Sequence, residues 1–153
     1  MSLKEEMLKI REEREALNQK IRAMAGEVFA EEAKSLFEAQ PKLQSFSWTQ
    51  YTPYFNDGST CEFSVNADYI AVTDIDGNEI HDVSSWSIKH YMEKGTDWNG
   101  NPYTPSELEF AGVAAIEFLC EFQEEDFLMM FGDHTRITVF RDGRVETDEY
   151  EHD

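Results

Sequence analysis

The hydrophobic period of this chain changes once, at Pro41, and that change constrains the fold more than any other feature. Before it, apolar residues fall at Met7, Ile10, Leu17, Ile21, Met24 and Val28, in steps of 3, 7, 4, 3 and 4. That is a heptad seam, interrupted at Arg14 and extended backwards by Leu3. Glu, Lys and Arg fill much of the remaining surface at helical spacing. The pattern predicts one helix over residues 3–40, ended by Pro41. From Phe29 the stripe widens to include Ala33, Leu36 and Phe37, as expected where a helix leaves a two-helix seam and docks on a domain. The preferred reading divides the chain into an oligomerisation helix, 1–40, and an acidic domain, 41–153. The alternative is a helix folded back on its own domain.

After Pro41 the period is two. Phe46, Trp48, Gln50, Thr52 and Tyr54 share one face of a strand, and Ser47, Thr49, Tyr51 and Phe55 share the other. Asn56-Asp57-Gly58 reads as a hairpin turn. Cys61, Phe63 and Val65 follow on one face, then a corner at 66–68, then Tyr69, Ile70 and Val72. Asp76-Gly77 turns the chain towards Ile80 and Val83. Residues 84–103 read as a long irregular stretch carrying Trp86, Tyr91, Trp98 and Tyr103.

Thr104-Pro105-Ser106-Glu107 predicts a helix start, with Thr104 as N-cap, Glu107 completing a capping box, and Tyr103 and Leu108 as a hydrophobic staple. Leu108, Gly112, Ala115, Leu119 and Phe122 form its buried stripe. A further helical turn closes at Gly132. The end is a hairpin turning at Asp142-Gly143, with Ile137, Val139 and Val145 towards the core. The fold class is therefore α+β. A long N-terminal helix precedes an antiparallel sheet of about four to six strands, one helix crosses the sheet, and a C-terminal hairpin closes the fold.

Charge narrows the partners. The chain has 32 acidic and 13 basic residues, but residues 1–40 hold 9 and 7 of them, leaving the rest at a net −17. Such a body repels nucleic acid, whose binding needs cations to displace phosphate counterions. It attracts basic proteins and speeds their encounter, although charge of this kind also serves solubility alone. Glu146, Asp148, Glu149, Glu151 and Asp153 concentrate acid on the last strand, where charge also blocks edge-to-edge aggregation. No run approaches the roughly 18 apolar residues of a membrane span, and no apolar leader is visible, so a cytoplasmic location is expected. Cys61 and Cys120 lie in apolar patterns and read as reduced, buried thiols.

Chemical motifs are sparse. No nucleotide-binding, nucleophile-elbow or zincin pattern occurs, and no cofactor or metal is implied. Asp74, Asp76 and Asn78 invite a calcium reading, but Gly77 comes too early for an EF-hand loop and an Asp-Gly turn fits better. Gln50, Thr52 and Tyr54, with Trp86, Trp98 and Tyr103, form a candidate pocket or contact surface. The competing reading is that the strand's aromatics cover the following helix.

The stretches "WTQYTPYFNDG" and "GDHTRITVFRDGRVETDEYEHD" together resemble small uncharacterised acidic proteins of tailed-phage and related bacterial genomes. That resemblance implies a context, an accessory host-takeover or counter-defence factor, and carries no catalytic residue.

Three readings of function follow. The first is a non-catalytic, self-associating protein whose acidic body engages a basic protein surface. The second is a binder of a small nucleotide signal, using Gln50, residues 86–103 and the cations Lys89, Arg136, Arg141 and Arg144. The third is a metal-assisted hydrolase built on His134, His152 and nearby carboxylates.

Overall fold

The computed structural model describes residues 2–54, 58 and 60–151. Phe55, Asn56, Asp57, His152 and Asp153 lie outside the described residues, and with them the expected Asn56-Asp57 turn.

Helix α1 (Leu3–Ala39) begins at Ser2, whose hydroxyl accepts the Glu5 N–H. Between Leu3 and Val28 every residue is exposed except the half-exposed Ala25. Contact with the body then starts abruptly, through Phe29, Ala33, Leu36 and Phe37. The widening stripe is thus the docking face. The exposed seam and the docked end are two segments of one helix.

Six strands form one antiparallel sheet: β1 (Leu43–Tyr51), β2 (Ser64–Val65), β3 (Ile70–Asp74), β4 (Glu79–Val83), β5 (Thr135–Phe140) and β6 (Val145–Glu149). The order is β4-β3-β1-β5-β6, with β2 paired to the far end of β1. β1 is therefore central. Its residues Phe46, Trp48 and Gln50 point to the covered face, with Val72 of β3 and Ile137 and Val139 of β5 in register beside them. A register shift between Leu43 and Ser45 lets Leu43 join the same core. β6 forms one edge, and all five of its residues are exposed, Val145 included. Val145 pairs with Val139 but stays exposed at the groove beside α1 rather than in the core.

Among the described residues three more helices follow, α2 (Ser85–Lys94), α3 (Glu107–Leu119) and α4 (Glu124–Phe131). α3 crosses the sheet, burying Leu108, Ala111, Gly112, Ala115, Ile116, Phe118 and Leu119. A Cβ at Gly112 would stand 2.6 Å from Val83 Cγ1, so glycine sets the approach of helix to sheet. The capping box is two residues later than the sequence suggests: Ser106 is the N-cap and Glu109 its partner. Thr104 and Glu107 offer the same spacing. The Ser106 frame prevails, and Glu109 there also accepts the Tyr103 hydroxyl at 2.5 Å. Tyr103 is spent on that bond and on packing edge-on to Tyr91, rather than on a staple with Leu108.

The expected irregular stretch 84–103 contains α2, capped by the Ser84 hydroxyl and ended by Gly95 with φ +76. α2 packs on α3, and Lys89 bridges to Glu117 at 3.0 Å. The remainder closes on itself, as Thr96 pairs with Pro102. One turn design recurs three times, at residues 74–78 (DIDGN), 97–101 (DWNGN) and 140–144 (FRDGR). In each, the first N–H meets the fifth carbonyl at 2.9 Å, and the fourth residue is a glycine at φ between +84 and +93.

Candidate functional site

The sheet has a second face. The register places Ser45, Ser47, Thr49 and Tyr51 of β1 there, beside Ala71 and Thr73 of β3 and Arg136 and Thr138 of β5. Small side chains at the centre leave a groove of about 670 Å³, lined by strand and loop residues and by none from a helix. Its floor is hydroxylic. The Ser45 and Thr73 hydroxyls share a hydrogen bond at 2.5 Å, and Asn66 Nδ2 donates to Thr49 Oγ1 at 2.9 Å.

The rim is aromatic and acidic. Tyr51 and Tyr150 pack together at 5.5 Å, and Tyr69 stands opposite with most of its surface exposed. Glu79, Asp82 and Asp148 supply three carboxylates. Asp82 takes φ +55, a left-handed conformation that Asp tolerates. His81 Nε2 lies 3.3 Å from Glu79. Arg136 is the one Lys or Arg in the lining, and its guanidinium lies 5.5 Å from the centre of the Tyr150 ring. Arg136 also pairs in register with Asp148. Among the described residues, no Ser or Thr hydroxyl of the groove is hydrogen-bonded to a histidine or carboxylate.

The residues singled out from sequence do not gather into one pocket. Gln50 belongs to the core, not to a contact surface, and is completely buried. Its Nε2 donates to the Phe127 and Gly132 carbonyls at 2.9 and 2.7 Å, and its Oε1 accepts from Trp48 Nε1 at 3.0 Å. The Gly132 carbonyl, at the cap of α4, has no intrahelical partner and Gln50 supplies a donor to it, while the mid-helix Phe127 carbonyl receives a second bond.

Thr52 is held by Asp133, which accepts from its N–H at 2.8 Å and its hydroxyl at 2.6 Å. Burial raises the Asp133 carboxyl, but those two bonds, the His134 N–H and the nearby imidazole outweigh it, leaving the group below the ordinary carboxylate range. Tyr54 stacks on His134 at 5.0 Å. Trp86 stacks on His90 at 4.9 Å, and Trp98 occupies the exposed tip of the 97–101 turn. Tyr103 is tied to Glu109, and burial followed by that carboxylate pushes its phenol well above its usual value.

The acidic last strand divides between two faces. Asp148 and Glu146 pair with Arg136 and Thr138 and follow the open face, whereas Thr147 and Glu149 pair with Ile137 and Thr135 and follow the covered one. Glu151 lies beyond the strand and is exposed.

The cations expected to hold a nucleotide are dispersed. Lys89 is on α2. Arg141 donates to the Leu43 and Gln40 carbonyls beside the Phe37 ring, and Arg144 lies over Phe140 at 4.0 Å. Asp74 Oδ1 accepts the Asp76 and Asn78 N–H groups, and Oδ2 accepts the Asn78 amide. The Asn78 amide leads the causes that lower its pKa. That geometry is a hairpin turn, not a calcium loop. Cys120 is exposed at the end of α3 and Cys61 is half-buried outside any strand, so neither is the buried thiol expected. Among the described residues no three His, Cys, Asp or Glu side chains converge as a metal site would require, and no helix is long and apolar enough to cross a membrane.

A different groove, of about 780 Å³ and mostly apolar, runs between α1 and the β5–β6 hairpin over Phe29, Phe37 and Phe131. The open sheet face differs in being lined mainly by polar side chains.

No protein-family model matches the chain, no curated protein matches its sequence, and no solved structure matches its fold.

Proposed function

We propose that this chain is a non-catalytic binding protein whose open sheet face receives a basic segment of another protein. The observation that carries the reading is the groove itself. A hydroxyl-lined floor between tyrosines and the carboxylates of Glu79, Asp82 and Asp148 suits Lys and Arg side chains. Tyr69, most of whose surface is exposed, gives such cations an aromatic face, and the net −17 of residues 41–153 attracts them from a distance. Among the described residues no Ser or Thr hydroxyl of the groove is bonded to a base, which supports binding over group transfer at this face. A nucleotide phosphate would meet three carboxylates and one arginine already beside Asp148, which disfavours the small-nucleotide reading. The resemblance to small phage-type acidic proteins extends the proposal to an accessory factor acting on a host protein in the cytoplasm.

The test is calorimetric titration of an Arg/Lys-rich peptide at low and high salt. The combined variant Glu79→Gln, Asp82→Asn, Asp148→Asn should weaken binding by roughly tenfold or more and flatten the salt dependence. Equal affinity in variant and parent would remove the sheet face as the site.

A further inference from the structure

We infer that the exposed half of α1 pairs with the same segment of a second copy of this chain in antiparallel orientation, holding two acidic bodies at opposite ends of the paired helices. This does not rest on the reading of the sheet face. The seam positions are Leu3, Met7, Ile10, Arg14, Leu17, Ile21, Met24 and Val28, and all eight are exposed. Six large apolar side chains from Met7 to Val28 stand about half exposed or slightly less, and Leu3 more so. A strip of this kind is what a coiled-coil partner covers.

The spacing is symmetric about a point between Arg14 and Leu17. Antiparallel pairing therefore sets Leu3 against the partner's Val28, Met7 against Met24, Ile10 against Ile21, and Arg14 against Leu17. The pairing uses the whole seam and stops where it must, because the next residue, Phe29, is buried in the body.

Two observations choose this orientation over the parallel one. In a parallel pair Arg14 would face Arg14 at a core position. In the antiparallel pair it faces Leu17, along which its stem can lie while the guanidinium reaches water. Parallel helices would also bring both net −17 bodies to one end. Antiparallel helices place them towards opposite ends of the paired segment, which runs roughly 39 Å over the 26 residues Leu3–Val28, so the repulsion is weaker than in the parallel pair. Flanking charges are close to balanced. Glu13 meets the partner's Lys20 in the antiparallel register, and Glu6 meets Glu27. In the parallel register Glu6 meets Arg11, and Glu13 meets Asn18.

That difference gives a test with opposite signs. The full chain is placed in sedimentation equilibrium beside Glu6→Lys, Glu13→Lys and Ile10→Ser/Ile21→Ser. All of these residues are exposed, so circular dichroism should report an intact fold. The parent should be a dimer, and Ile10→Ser/Ile21→Ser should lose it. Glu6→Lys should tighten the dimer by roughly threefold to tenfold, by turning two repulsions into two attractions. Glu13→Lys should loosen it by a similar factor, and adding Lys20→Glu should restore it. Loosening by Glu6→Lys with no response to Glu13→Lys would establish the parallel pair and overturn the proposal. A parent chain that stays monomeric at all concentrations would overturn it as well.

Discussion

The two faces of this sheet are made by alternate residues of the same strands, yet they obey different rules. On the covered face Phe46, Trp48, Val72, Ile137 and Val139 meet the aromatic cluster of Phe29, Phe118 and Phe127. The polar member of the central strand there, Gln50, has all its bonding arranged by the fold. On the open face Ser47, Thr49, Ala71 and Thr138 are half-buried beneath a tyrosine and carboxylate rim. A residue's alternation thus reveals that it has a face, while the helices decide which face is core. Polarity alone misleads here, because the most buried polar side chain is structural and the least conspicuous serines line the groove.

Substitutions along β1 sharpen this contrast. Trp48→Ala removes the ring stacked on Phe46 and edge-on to Phe127 and Phe131, and should cost about 3–5 kcal/mol in urea unfolding. Gln50→Leu keeps the volume but strands the Gly132 carbonyl and the Trp48 N–H and removes the second bond to the Phe127 carbonyl. It should cost roughly 2–4 kcal/mol in the same assay. Gly112→Ala pushes α3 away from Val83 and should cost roughly 1–3 kcal/mol.

A smaller effect is expected at the end of β1. The Asp133 carboxyl is depressed in the folded chain, so its contribution is complete above about pH 4 and is lost as pH falls through its lower folded value. Acidification also relieves the repulsion of a chain at net −19, a trend of opposite sign. The difference in melting temperature between the parent and Asp133→Asn isolates the first term. It should be largest near neutral pH and shrink as pH falls through the lowered folded value.

The smallest stability effect belongs to the open face. Ser47→Tyr should change unfolding by under about 1 kcal/mol while filling the groove and removing peptide binding. A large destabilisation by Ser47→Tyr would show that the open face, too, is packed.

Much of the architecture was legible. The steps between Met7 and Val28, the widening at Phe29 and the stop at Pro41 mark α1 and its docked end. Asp142-Gly143 marks the C-terminal hairpin, and Leu108, Gly112, Ala115 and Leu119 mark the face of α3. Three features were not legible, each for a physical reason. α2 buries fully only Ile88, so its apolar periodicity is faint and Trp86 and Tyr91 resemble a decorated loop. Thr104 and Ser106 both begin a capping-box pattern, and only the tertiary bond from Tyr103 to Glu109 separates them. The candidate site was missed because Ser45, Ser47 and Thr49 carry a weak signal. They acquire meaning when β3, β5 and β6 arrive from distant parts of the chain. The acidic end was legible as charge, but its division between two faces follows from the register of β6 on β5.

The central claim is that the open face, and not acidity in general, takes a basic partner. The most direct measurement is an amide NMR titration of the full chain with an Arg/Lys-rich peptide. The account predicts saturating shifts at Ser47, Thr49, Ala71, Thr138 and Asp148, with little change at Glu121, Glu124 and Glu125, which lie among the acidic residues of the helical layer. Shifts spread evenly over every acidic surface, or confined to the helical layer, would contradict it.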